Sequence, residues 1–400
     1  IARGVHGGAE ARRIVMTEQN SKALSVYVHV PFCVQKCNYC DFCSFPRMDG
    51  EVKARYVDEL CRRIAALGET VPCGEYRVET VYFGGGTPTL LSPRDFSRML
   101  EAIKAVFPVV KDAEITAECN PGTVDLSYLR ALFSAGVNRL SVGMQSANEN
   151  ELRALGRIHT ATDFLRCAED ARRAGFDNLS ADVMFGIPLQ TPASFRHTLE
   201  TVLSVDPTHI SAYGLKIEEE TPFGRHPERL VLPDEDAEDA MYRDAVALLA
   251  TRGLYRYEIS NFAKIGYVSR HNSAYWKLQD YLGLGVAAHS YFGGERIANS
   301  RDLDAFLRGE SIVLSRERIG RAESMDEYVM LGMRMECGVN DAAFDAFFGE
   351  TGAFSRRYGA GFDRFVKMGF IRTEVQGDAT AYAFTTDGFR VSNYILSEIL

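Results

Sequence analysis

Six times between residues 24 and 217, a β-rich run gives way to apolar residues at helical spacing. The runs are LSVYVHVPF (24–32), VETVYFGGG (78–86), AEITAECNP (113–121), NRLSVGMQS (138–146), NLSADVMFGIP (178–188) and THISAYGLKI (208–217). Between them lie helical patterns such as EVKARYVDELCRRIAALG (51–68) and a segment opened by Ser92 as cap and Pro93 in the first turn. Each unit is roughly 30–40 residues, long enough for a strand, a crossover helix and a return to a parallel neighbour. Right-handed crossovers would wind these strands into one parallel sheet. A closed eight-fold barrel needs two more units, so the expected fold is α/β, a partial (β/α)6 barrel over residues 21–300.

Residues 218–235 are charged and carry prolines, as a loop or boundary would. Residues 301–400 change register to helices around two short strands that flank Gly377–Asp378, a smaller, mostly helical, winged-helix-like domain. Over 321–400 there are 8 Lys/Arg against 12 Asp/Glu, net −4, the wrong sign for a nucleic-acid duplex. The whole chain, at −9, points the same way. Residues 1–20 show no period, Met16 reads as the natural start, and this leader is assigned to no fold. No apolar run approaches the ~18 residues of a membrane span, and no signal peptide is evident, so a cytoplasmic protein is expected.

In that compartment thiols stay reduced, and clustered cysteines point to metal or catalysis. Four of the nine cysteines fall in PFCVQKCNYCDFC (31–43), just beyond the first strand, where the barrel mouth would be. A zinc site usually takes a fourth Cys or His from a second knuckle; the only near fourth ligand here is Cys43, and no separate CxxC knuckle exists elsewhere in the chain. Three thiolates at Cys33, Cys37 and Cys40 suit a [4Fe–4S] cluster with one iron left open. GGGTPT (84–89) follows the second strand, and its glycines admit a ligand close to the backbone. Glu118, Gln145 and Asp182 lie at or near strand ends, and Arg157 follows in LGRIHT. Singly, each is as readily a satisfied structural residue; together at one mouth they form a site for a ligand with a carboxylate, an ammonium and hydroxyls.

The spacing CxxxCxxC, with Tyr39 at the aromatic position, resembles the radical S-adenosylmethionine (SAM) superfamily. With GGGTPT, ECNP, SVGMQS, LGRIH and DVMFGIP, it is similar to the HemN/HemW branch from about residue 24 onward. The resemblance implies that Cys33, Cys37 and Cys40 hold the cluster. It also implies that Tyr27, Tyr39, Gly85, Gly86, Thr87, Glu118, Gln145, Arg157 and Asp182 contact SAM.

Members of this branch do two different jobs. One is oxygen-independent coproporphyrinogen III dehydrogenase, a radical SAM oxidative decarboxylase; its pattern has a cysteine where this chain has Phe42. The other is a heme chaperone, with a CxxxCxxCDF-like loop and an HNxxYW signature, matched here by HNSAYW (271–276). His271 could ligate iron, and Tyr275 and Trp276 could face a porphyrin. On residue chemistry alone, a packed His/Trp pair is slightly favoured; the resemblance favours heme. GLGVAAHS (283–290) carries a G-x-G-x-x-A spacing, but no strand is expected before it, which weakens a nucleotide reading. The resemblance thus implies a heme chaperone with heme and apo-hemoproteins as partners, membrane-bound respiratory enzymes among the acceptors, and permits a homodimer. The dehydrogenase is the alternative. Cys43 fits neither pattern and is expected to be an incidental neighbour.

Overall fold

The computed structural model describes residues 21–400; the expected leader lies outside the described residues. The six strands of the repeat form as the pattern requires: β1 (Lys22–Val30), β2 (Tyr76–Gly85), β3 (Val109–Cys119), β4 (Arg139–Gln145), β5 (Asn178–Phe185) and β6 (His209–Gly214). Each pairs in parallel with the next. Helices α1 (Gly50–Thr70), α2 (Pro93–Val106), α3 (Leu126–Ser134), α4 (Ala161–Ala174) and α5 (Pro192–Leu203) cover the outside. Helix α2 starts where its residues dictate, since Ser92 and Asp95 form a reciprocal capping box and Pro93 occupies the first turn.

Alternation along the strands separates the two faces. Val26, Val28, Val81, Phe83, Ile115, Ala117, Leu140, Val142, Ala181, Val183 and Ile210 point outward into the core shared with the helices. The opposite parity is polar: Ser25, Tyr27 and His29 on β1, Thr80 and Tyr82 on β2, Glu114, Thr116 and Glu118 on β3. It continues as Arg139, Ser141 and Gln145 on β4, Ser180 and Asp182 on β5, and His209 and Ser211 on β6. Hydrogen bonds cross the interior between these residues, from Tyr82 to Glu118 at 2.8 Å and from Ser141 to Asp182 at 3.1 Å. An interior lined with hydrogen-bonding groups is a binding chamber, unlike the apolar layers that fill a closed barrel.

The sheet stays open. Strands β7 (Tyr255–Arg256) and β8 (Asn261–Ala263) extend one edge; β9 (Tyr281–Leu284), β10 (His289–Phe292), β11 (Glu295–Asn299) and β12 (Val313–Arg318) extend the other. The 12-stranded order among the described residues is β12–β11–β10–β9–β1–β2–β3–β4–β5–β6–β8–β7. Two expectations change here. Strand β9 runs into GLGVAAHS, parallel to β1, where no strand was expected; four residues are too few to show a period. The boundary placed at 300 also moves, because β11 pairs with β12 and Ile312 belongs to the main core. A second core begins at Met325 and runs to Leu396. It wraps a three-stranded sheet of β13 (Val339–Asn340), β14 (Ile371–Gln376) and β15 (Ala379–Phe384), with Gly377 at φ 66° turning the expected hairpin. No helix among the described residues is long and apolar enough to cross a membrane.

Candidate functional site

The C-terminal ends of the strands open into a cavity of about 530 Å³. Cys33, Cys37, Cys40 and Tyr39 line it, together with Gly85, Gly86, Thr87, Glu118, Gln145, Arg157 and Asp182. The cysteine loop is fastened to the turn after β4: the Asn38 N–H donates to the Leu155 carbonyl at 2.9 Å and its side-chain amide to that of Ala154 at 3.0 Å. Arg157 joins three elements. Its guanidinium donates to the Asn120 side chain and to the Gly143 carbonyl, each at 2.7 Å, and reaches Cys37 Sγ at 3.7 Å. Thr87 Oγ1 lies 3.8 Å from Cys33 Sγ and accepts from Asn120 at 2.7 Å.

The donor set fits an iron–sulfur cluster. Three soft sulfur ligands ring one mouth, and burial raises the thiols of Cys33 and, to about 11, Cys40, so deprotonation would come with coordination. Among the described residues no trio of His, Cys, Asp or Glu converges as ligands of a single ion do. Thiolates of a cubane each bind a different iron and stand apart around it. Cys43 has another place: it is 6% exposed in the main apolar core, and its carbonyl accepts from His29 Nε2 at 2.8 Å.

The glycine segment has a steric reason. A Cβ on Gly86 would lie 2.6 Å from the Phe32 carbonyl oxygen, so only glycine lets the two backbones meet. Gly85, at φ 110°, donates its N–H to Glu118 at 3.1 Å. Gln145 takes φ 65°, an unusual conformation for a residue with a side chain, and turns into the cavity at the end of β4. Burial pushes the Glu118 carboxyl up to about 7 and also raises Asp182.

Four of the expected residues do not line the cavity: Tyr27, His271, Tyr275 and Trp276. Tyr27 stands behind Tyr82, its ring stacked at 6.2 Å, and is hydrogen-bonded to His29. HNSAYW lies on a short helix, Arg270–Trp276. This helix enters the barrel from the N-terminal side of the strands, where the Glu114 carboxylate accepts the backbone N–H groups of Arg270 and His271, each at 3.0 Å. His271 is 1% exposed, stacks on Tyr82 at 5.0 Å and uses both ring nitrogens. Thr80 donates onward to Ser25, so its oxygen accepts from His271 Nδ1–H at 2.7 Å; Nε2 is left to accept from the Tyr275 hydroxyl at 2.8 Å. As folded, His271 is a floor residue with no free lone pair, and burial lowers it to about 3, keeping the ring neutral. From this motif it is Asn272 that reaches the cavity.

Tyr82, Asn120, Arg139, Ser141, Ser211 and Tyr213 also line the cavity and were missed in the sequence. Except for Asn120, they fall on the inward-facing, polar parity of β2, β4 and β6, and that alternation would have found them.

A polar half-barrel with three thiols at its mouth and a glycine segment on its second strand is the architecture of a radical SAM protein. Comparison agrees: residues 27–202 match the model of the Radical SAM superfamily. The chain is 34% identical to "Heme chaperone HemW" of Bacillus subtilis, over 82% of this chain and 87% of that one. It is 36% identical to "Heme chaperone HemW" of Escherichia coli, over 76% and 85%. "Radical S-adenosyl methionine domain-containing protein 1, mitochondrial" of Bos taurus is 35% identical, over 82% and 76%. Coproporphyrinogen III oxidase (HemN) from Escherichia coli superposes with a TM-score of 0.81 at 23% identity, covering 95% of this chain and 90% of that one, a likeness of fold. The chain belongs to the radical SAM superfamily and, within it, to the HemN/HemW branch beside the HemW proteins.

Proposed function

We propose that this protein is a heme chaperone: it binds heme and delivers it to apo-hemoproteins in the cytoplasm, membrane-bound respiratory enzymes among them. The observation that carries this reading is the identity of 34–36% with proteins named heme chaperone, over most of both chains. Phe42 and HNSAYW, the residues that set the chaperone pattern apart from the dehydrogenase, support it. The likeness to the oxidase is one of fold and adds nothing for decarboxylation.

In this reading Cys33, Cys37 and Cys40 would hold a [4Fe–4S] cluster, which would supply one-electron chemistry beside the SAM site. Arg157 meets the SAM carboxylate, Gly85 and Gly86 leave room for its backbone approach, and Glu118, Gln145 and Asp182 take its polar groups. Tyr39, half-buried against the cluster that contains Met184 and Phe223, backs the loop. Heme ligation through His271 requires the Tyr275 hydroxyl to give up Nε2.

Glu118 makes SAM affinity depend on pH. Its folded value, about 7, lies above that of a free carboxylate, so the ionised form is the one burial disfavours. SAM carries positive charge and favours that ionised form. Affinity is therefore expected to rise between about pH 6 and about pH 7.5, and Glu118→Gln should flatten the profile. Calorimetric titration across that range reads it; a wild-type profile already flat removes Glu118 from the site.

The function itself is tested on anaerobically reconstituted protein. About one heme should bind per chain and pass to an apo-acceptor, with no decarboxylation of coproporphyrinogen III in the presence of SAM and a strong reductant. His271→Ala should alter the heme spectrum and leave SAM binding intact. Turnover to protoporphyrinogen would make the protein the dehydrogenase instead.

A further inference from the structure

Arg139 is a cation buried in the barrel interior. It opens β4, is 1% exposed and lines the cavity. Its Nε is buried without a hydrogen-bond partner, and it takes part in no ion pair among the described residues. Arg157 also has an unpaired Nε, but its guanidinium is held by Asn120 and the Gly143 carbonyl. The two nearby acids are satisfied by others. Asp182 accepts from Ser141 Oγ at 3.1 Å on both oxygens, and Glu118 accepts from the Tyr82 hydroxyl at 2.8 Å and the Gly85 N–H at 3.1 Å. Their charges act on Arg139 only across space.

A guanidinium presents five N–H donors in a planar fork that matches a carboxylate. Burying one without a matched acceptor is costly, so a structural arginine here would be expected to close on Asp182 or Glu118. Arg139 closes on neither and faces the chamber. The other guanidinium on the cavity, half-buried, is Arg157, which stands at the cysteine loop, 3.7 Å from Cys37 Sγ. Arg157 donates to the Gly143 carbonyl, and Arg139 opens the same strand about 13 Å further down.

We propose that Arg139 receives a carboxylate of a ligand other than SAM, held in the lower half of the barrel. Asn272, on the same cavity, offers a further donor. The carboxylate belongs either to a propionate arm of a tetrapyrrole or to a free small organic acid. The first source rests on the heme-chaperone reading; the site itself rests on Arg139.

The test uses the full chain with its cluster reconstituted, as wild type, Arg139→Gln and Arg139→Lys. Hemin and hemin dimethyl ester are titrated by absorbance, sodium propionate by thermal shift and SAM by calorimetry. Arg139→Gln is expected to weaken hemin about tenfold or more, with Arg139→Lys intermediate. The ester should bind all three proteins equally and weakly, and SAM should bind them alike. If hemin binding is unmoved but propionate stabilises wild type and not Arg139→Gln, the site stands and its ligand is a free acid. Hemin and propionate behaving identically in all three proteins overturns the proposal and leaves the chaperone reading in place. Loss of SAM affinity in Arg139→Gln, with hemin and propionate unmoved, also overturns it, because the carboxylate would then be SAM's own. Wild type that fails to bind hemin ends the chaperone reading, and the propionate arm then decides this proposal alone.

Discussion

Cys37→Ala, reconstituted anaerobically, is expected to hold no [4Fe–4S] cluster, against about four irons per chain in the wild type. Cys33→Ala and Cys40→Ala should do the same, because all three thiols line one mouth and each would bind a separate iron. Cys43→Ala should keep its cluster. That thiol is buried in the main core on the far side of the loop, and the group Cys43 contributes to its surroundings is its carbonyl, which alanine retains. Iron and sulfide analysis with visible absorbance decides the matter. A cluster lost in Cys43→Ala and kept in Cys40→Ala would overturn the ligand assignment.

Arg157→Ala is the second large effect. A charge-assisted hydrogen bond to a buried carboxylate contributes about 1.5–3 kcal/mol, so SAM affinity should fall about tenfold or more. The loss should exceed that of a pure ligand contact, since Arg157 also ties Asn120 and the Gly143 carbonyl to the cysteine loop. Arg157→Lys keeps the charge but not the fork, and should recover only part of the affinity. Titration of SAM into variants with intact cluster spectra measures this, and unchanged binding would remove Arg157 from the site.

How far the sequence could be read depended on length and period. The six strands of the repeat and the residues at their C-terminal ends were legible, because β-rich runs of nine or more residues separated by helices leave a clear pattern. Strand β12 was not: VLSRER is exposed throughout, as an edge strand with charges against further pairing, and without its partner β11 it reads as loop. That gap misplaced the boundary at 300. Tyr82 and Arg139 lie lower down their strands, below the C-terminal ends at which strand position alone points to a site. HNSAYW was legible as a motif, but seven residues of helix say nothing of which end of a barrel they enter. Only the contacts of Glu114 with Arg270 and His271 place the motif at the floor.

That floor gives the chamber a direction. The Arg270–Trp276 helix stands at its lower end and the cysteine loop at the other. On the two proposals above, SAM at the cysteine end would lie over a ligand held at Arg139 and act as a latch on it.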